Sequence, residues 1–374
     1  MKKNIPDNSR RKFIFTVGIT TLGLPLLSSF VDFDELLIGK KKKLGVALVG
    51  LGKYATEQLA TALLETEDCY LAAIVTGTPS KIPYWKEKYN IADKNIYNYE
   101  NYDSIKNNPD IDIVYIVLPN SMHAEYTIRA AQAGKHVICE KPMAISVAEC
   151  DQMIAACKKA GKSLSIGYRL HFDPYHLEMV KMGTQKKYGE IKKMNAAFAF
   201  QAPKKNWWRL DKKYAGGGPL MDLGIYCLQG IIYTTGMLPV AVTAQSPPVT
   251  DKEVFIDVEE TLTWQMEMPN GAIAECRTSY SGEYQNVLKA EAENGWFELN
   301  PAFSYDGIKG KTSDGKTLEF SKFSQQAKQM DGIAISIKNN QESIVPGEMG
   351  RRDMKIIEAI YQAMNTGKRV AIEW

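Results

Sequence analysis

Three groups of residues in this sequence could do chemistry. Lys141 follows the apolar stretch His136 to Cys139 and stands between Glu140 and Pro142. An ammonium there can hold and polarise a hydroxyl or carbonyl oxygen, and can lower a neighbour's pKa. Asp222 and Tyr226 lie four apart in Leu220-Met221-Asp222-Leu223-Gly224-Ile225-Tyr226-Cys227-Leu228, a stretch that reads as a helix running to about Thr235. That spacing puts an acid and a phenol on one helix face, a pair suited to proton transfer. The third group is Gly50-Leu51-Gly52-Lys53-Tyr54-Ala55, the G-x-G-x-x-A dinucleotide fingerprint. The first two have plain structural alternatives: Lys141 as a surface lysine paired with Glu140, and Asp222 as a helix-dipole residue beside an interfacial Tyr226.

The fingerprint carries weight because its elements come in the required order. Leu44 to Val49 is an apolar run that predicts a buried strand, and a helix is expected from about Ala55 to Glu65. Gly50 permits the tight turn, Gly52 lets a pyrophosphate approach, and Ala55 lets the helix pack closely. The helix N-terminus offers free N–H groups to the phosphates. A second strand, Tyr70 to Val75, ends in Thr76-Gly77-Thr78-Pro79-Ser80-Lys81, with no carboxylate to repel a 2′-phosphate. This favours NADP over NAD, with a solvated surface Lys81 as the alternative. Tyr99 is assigned to the same cofactor wall.

Further strands are expected over Asp112 to Leu118, His136 to Cys139 and Ser163 to Ile166. Leu118, Pro119, Asn120 and His123 fall at a carboxyl edge, where such sheets bind ligands. Helices are expected from about Ser121 to Ala133 and from a Ser146 cap, with Glu149 at the capping-box position, to about Ala160. The alternation predicts a doubly wound parallel sheet.

From about Leu170 the pattern changes. Ile191 to Gln201 reads as a strand, and Gly216-Gly217-Gly218-Pro219 breaks the chain before the Asp222 helix. Thr261 to Met268 alternates wet and dry residues, and Pro269-Asn270-Gly271 turns it into Ala272 to Tyr280. Asn286 to Glu293 and Trp296 to Leu299 form another hairpin across Asn294-Gly295. Helices from about Phe323 to Asn339 and Arg351 to Asn365 close the chain. The fold class is α/β: a Rossmann domain plus an α/β domain with a large, open, mostly antiparallel sheet. The free face of that sheet suits a partner subunit, so a homodimer or homotetramer is expected.

The chain's 374 residues suit two domains and a tail. Its net charge of +3 gives no reason to expect a nucleic-acid partner. Lys2, Lys3, Arg10, Arg11 and Lys12 against Asp7 place the basic excess in the first thirty residues. Ser9-Arg10-Arg11-Lys12-Phe13-Ile14, with a weakly apolar stretch to about Leu27, reads as a twin-arginine export signal; a basic disordered terminus is the alternative. Export of folded protein by the twin-arginine machinery would let the enzyme carry its cofactor to the periplasm, with a signal that is either cleaved or kept as an anchor. The domains expected are a signal over 1–30, an arm over 31–43, a nucleotide domain over 44–167 and a substrate and oligomerisation domain over 168–374. Six cysteines without a CxxC pair read as buried thiols, and the four histidines form no metal-binding pattern.

Gly50-to-Ala55, Glu140-Lys141-Pro142 and Gly217-Gly218-Pro219-Leu220-Met221-Asp222-x3-Tyr226 together resemble the glucose–fructose oxidoreductase and inositol dehydrogenase family, from about Lys43 to Trp374. Tyr168-Arg169, Trp208-Arg209, Asn300-Pro301 with Ser304-Tyr305, and Pro346-Gly347-Glu348 are similar to its glucose–fructose oxidoreductase branch, which is also exported. The resemblance implies an NADP-dependent oxidoreductase acting on a sugar or polyol. In it Lys141 is the catalytic lysine, and Asp222 and Tyr226 complete the site. Thr76 and Lys81 would hold the 2′-phosphate, and Glu140, Lys141, Arg169, Trp208, Arg209 and Tyr305 would line the cofactor. Tyr226, where many members carry His, narrows the choice to glucose–fructose, xylose and dihydrodiol dehydrogenase-like branches. Tyr226 would act as general base; a free tyrosine has a pKa near ~10, so Lys141 and the oxidised ring must help it. Asp222 would orient the sugar hydroxyl or Tyr226. The arm, Val31 to Lys43, is shorter than that branch's proline-rich arm, so permanent cofactor retention does not follow. Two alternative functions share the fold: a glycoside hydrolase using a retained nicotinamide, and a non-catalytic sugar or nucleotide sensor.

Overall fold

The computed structural model describes residues 42–203 and 207–374. The expected export signal and most of the arm lie outside the described residues.

Strand β1 (Leu44–Val49) is apolar along its length and buried on both faces, which suits the centre of a parallel sheet. Around it stand β2 (Cys69–Val75), β3 (Ile96–Tyr97), β4 (Ile113–Ile116), β5 (His136–Cys139) and β6 (Leu164–Ile166). The order is β3-β2-β1-β4-β5-β6, all parallel. The strand order reverses between β1 and β4, so the ligand crevice lies at the carboxyl ends of those strands. The register decides what meets there. Val49 pairs with Val75 and Ile116, Ile116 with Cys139, and Cys139 with Ile166. The next residues, Gly50, Thr76, Val117, Glu140 and Gly167, therefore form one level edge.

The first helix opens as a π turn, Ala55–Leu59, before a short α segment, Ala60–Ala62. It therefore ends earlier than Glu65. The Ser146 cap holds as read: its side chain accepts from the Glu149 N–H, and the helix runs Val147–Ala160 to a left-handed Gly161. Glu149 reaches back to the N–H of Ile145, one residue before the cap.

The second sheet contains β7 (Ile191–Ala199), β8 (Ala241–Gln245), β9 (Thr261–Glu267), β10 (Ile273–Ser279), β11 (Gln285–Ala292), β12 (Gly295–Leu299), β13 (Gly310–Thr312), β14 (Thr317–Leu318) and β15 (Val370–Ala371). Its order is β14-β13-β12-β11-β7-β10-β9-β8-β15. The two predicted hairpins form, but they are not adjacent. Strand β7 enters between them, antiparallel to β11 and parallel to β10. Hairpin signals are local, whereas this insertion depends on a strand some 75 residues upstream. Leu262, Trp264 and Met266 face the helical layer, each burial worth about 1.5–3 kcal/mol. Thr261, Thr263, Gln265 and Glu267 face the open side.

The helix Gln325–Lys338 returns to the first domain, although the sequence reading gave it wholly to the second. Asp331 accepts the N–H groups of Glu67 and Asp68, and Gln329 bonds Tyr115 of β4. All six cysteines are buried free thiols.

Candidate active site

Lys141 and Asp222 meet across the two sheets. The Lys141 amine donates to the Asp222 carbonyl at 2.7 Å and to Oδ1 at 3.1 Å. Both side chains are largely enclosed, at 10% and 14% exposure. The surface pairing of Lys141 with Glu140 is thus replaced by a buried pairing with Asp222. The same amine lies 4.6 Å from the centroid of the Tyr226 ring.

Asp222 sits in a π turn, Leu220–Gly224, which leads into the helix Ile225–Thr235 carrying Tyr226. Buried Glu259 fixes the start of that turn by accepting from Gly218 N–H (2.9 Å) and Leu220 N–H (3.0 Å), and from the Tyr361 hydroxyl (3.0 Å). A side chain at Gly218 would press within 2.3 Å of the Glu259 carbonyl oxygen, so this packing requires glycine.

Arg209 reaches Asp222 Oδ1 through Nε at 3.1 Å, and its guanidinium stacks on Trp208 at 4.3 Å. Tyr280 donates its hydroxyl to Oδ2 at 3.1 Å. Burial alone would raise the Asp222 pKa, but Arg209, Lys141 and the Tyr280 hydroxyl overcome it and hold the carboxyl at about 2. With both oxygens occupied, the carboxylate positions Lys141 and Arg209. Its hydrogen-bond and ion-pair partners among the described residues are Lys141, Arg209 and Tyr280.

Arg169 is almost fully enclosed. It donates to the carbonyls of Ser304 (3.2 Å) and Phe303 (2.5 Å) and to the Gln325 side chain. Its guanidinium lies 5.1 Å from the Tyr226 ring and 4.6 Å from the Tyr305 ring. It therefore sets these two tyrosines and offers little surface to a ligand, which corrects its expected place in the cofactor lining. Tyr305 is 45% exposed and lies 5.9 Å from Tyr54 of the glycine loop, so these rings face each other across the cleft.

The glycine loop fits a pyrophosphate. Gly50 has φ +92°, and a Cβ there would come within 2.5 Å of the Val117 carbonyl oxygen and 2.8 Å of Leu118. Around Gly52 a Cβ would meet only open space, as a loop that receives a ligand requires. Ala55 is buried, while Lys53 is exposed and faces Glu57 at 3.9 Å. A hollow of about 450 Å³ next to the loop is lined by Leu51, Gly52, Thr56, Ser80, Lys81 and Tyr84 among others. Lys81 crosses its edge to the Leu51 carbonyl at 2.7 Å.

Other expected cofactor residues have structural duties. Thr76 is buried, and its hydroxyl accepts the Thr78 N–H at 3.1 Å, shaping the turn rather than facing the hollow. Tyr99 covers Gly77 and meets Tyr126 edge-on at 5.5 Å. Asn120 is buried and donates to the Ala215 carbonyl at 2.8 Å, tying the two domains. Pro119 before it is half-buried. His123 is wholly enclosed, its ring nitrogens each 2.9 Å from the carbonyls of Leu118 and Pro142. Burial pushes its pKa down while the facing carbonyls push it up, and the enclosed ring braces the Leu118 and Pro142 segments with no surface open to a cofactor. Sequence reasoning missed Tyr280, Glu259 and Tyr115, because their places depend on pairings distant in the chain.

Comparison with known proteins bears on this geometry. An oxidoreductase family model with an NAD-binding Rossmann fold matches residues 44–168, and the GFO/IDH/MocA C-terminal domain matches residues 176–298. An aldose–aldose oxidoreductase from Caulobacter crescentus is 41% identical, with a TM-score of 0.86, over 88% of this chain and 100% of that one. The chain belongs to the GFO/IDH/MocA oxidoreductase family. Family relatives include a D-xylose 1-dehydrogenase [NADP(+)] of Haloarcula marismortui, 27% identical over 87% of this chain and 92% of its own. A D-glucoside 3-dehydrogenase of Escherichia coli is 26% identical over 88% and 97%.

Proposed function

We propose that this family member oxidises and reduces sugars, moving hydride between an aldose or related pyranose and NADP. The observation that carries the reading is the Lys141–Asp222–Tyr226 cluster at the carboxyl edge of a sheet whose glycine loop fits a dinucleotide. The named relatives, acting on aldose, xylose and glucoside, support the substrate class.

When bound, the nicotinamide supplies the hydride acceptor or donor. The protein does the rest. Two of the Lys141 hydrogen-bonding directions are taken by Asp222, leaving the third for the sugar oxygen. Tyr226 takes the hydroxyl proton in oxidation and returns it in reduction. Lys141 and Arg169 place two positive charges 4.6 and 5.1 Å from the centre of its ring, a field that would favour negative charge developing on the phenol. Asp222, ionised throughout the physiological range, holds the Lys141 amine in place.

Absence of a carboxylate after β2, together with Lys81 at the hollow, supports NADP over NAD. Lys81→Met is expected to raise KM for NADP+ roughly 10-fold or more, the worth of one charge-assisted phosphate contact, and to leave KM for NAD+ within a factor of two. Equal changes for both nucleotides would contradict this role.

The twin-arginine pattern supports export. Replacing Arg10 and Arg11 by Lys is expected to leave the protein in the cytoplasmic fraction while preserving its activity there. Undiminished periplasmic protein from that variant would refute the reading. Oligomer formation through the open sheet face is part of the same proposal.

A further inference from the structure

Glu140 is a buried carboxyl that the mechanism above does not use. It follows β5, level with Gly50 along the carboxyl edge, and is 8% exposed. Oε1 accepts the Tyr115 hydroxyl at 2.7 Å, and that oxygen in turn accepts from Gln329 at 2.7 Å. Oε2 accepts the Lys141 backbone N–H at 3.3 Å. A side chain at Gly167 would come within 2.6 Å of Oε1, so the pocket is tailored to the carboxylate. Both oxygens face donors, the environment of an ionised carboxyl.

Its charge differs from that of Asp222, which has two cations at 3.1 Å. Among the described residues no ammonium or guanidinium lies within ion-pair distance of Glu140. Burial without such a partner pushes its pKa up, only partly offset by Tyr115, Lys141 and Arg169. A carboxylate buried without a paired cation is one that a cationic group entering the adjoining cleft would stabilise. The cleft it borders, beside the glycine loop and Lys141, is the one that fits a dinucleotide, whose nicotinamide is cationic when oxidised and neutral when reduced.

We propose that Glu140 sets the redox balance of the bound cofactor, its charge favouring the oxidised nicotinamide over the reduced. The inference rests on the reading of the cleft as a nicotinamide site. Such a bias favours, on the protein, the half-reaction in which reduced nicotinamide passes hydride to a sugar carbonyl, and disfavours the one in which the oxidised ring takes hydride from a sugar hydroxyl.

The test is equilibrium binding of NADP+ and NADPH to the purified full chain without sugar, read by tryptophan fluorescence. Glu140→Gln is expected to raise the ratio Kd(NADP+)/Kd(NADPH) about tenfold over wild type. Glu140→Asp, which keeps the charge, is expected to stay within about threefold. Should Glu140→Gln not fold, Tyr115→Phe withdraws the hydrogen bond that favours the charge and is expected to move the ratio in the same direction. A ratio unchanged in the folded Gln variant, or failing that in Tyr115→Phe, overturns the proposal and leaves the nicotinamide reading intact. Binding of neither nucleotide by wild type overturns both.

Discussion

Tyr226→Phe is expected to lower kcat/KM by about 10²–10⁴, the usual worth of a positioned general acid–base. The substitution removes one oxygen and little else. The ring packs against Phe198 and Phe303 at centroid distances of 5.8 and 6.0 Å, with Lys141 and Arg169 against it. A phenyl ring keeps those contacts, so melting temperature and nucleotide affinity should stay close to wild type. Steady-state kinetics beside a nucleotide titration separates the two effects. A loss below about fivefold would remove Tyr226 from proton transfer, and a parallel loss of nucleotide affinity would make its role structural.

Asp222→Asn is expected to damage both stability and turnover. The side chain is 14% exposed and neutralises Lys141 and Arg209 at 3.1 Å each. An amide leaves two enclosed cations facing each other, and breaking a buried ion pair from one side costs about 3–5 kcal/mol. Lys141 also loses its aim, and loss of one preorganised charge donor typically costs about 10²–10³ in kcat. The pH dependence has a definite sign. Asp222 titrates at about 2 in the folded chain, below the ordinary ~3.9 of an unfolded aspartate. Its stabilisation is complete above pH ~4 and is lost as pH falls through about 2. Denaturant melts of wild type between pH 4 and 2 should show a decline that Asp222→Asn lacks. Matching declines would place the stabilisation elsewhere.

Much of this was legible in the sequence because it is local. The fingerprint works through one strand, one turn and one helix, and Gly50 in its left-handed conformation does what the motif demands. The alternation in Thr261 to Met268 gave the buried face correctly, since a strand's period does not depend on its neighbours. The meeting of Lys141 with Asp222 was not legible from spacing, because 81 residues separate them and two different sheets bring them together. His123 and Arg169 sit at chemically suggestive positions, yet packing turned both inward to brace backbone carbonyls. Tyr280 reads as the end of a strand, and only the pairing of β10 beside β7 shows that its hydroxyl completes the Asp222 site.

The central claim is hydride transfer between a sugar and nicotinamide at this cluster. It is tested most directly by adding an aldose, glucose or xylose first, to the purified protein with NADP+ and recording the near-ultraviolet band of reduced nicotinamide. The account predicts that the band appears with wild type and is lost with Lys141→Met, although that variant still binds nucleotide. A band of undiminished rate in Lys141→Met, or none from wild type with any aldose despite bound nucleotide, would contradict it.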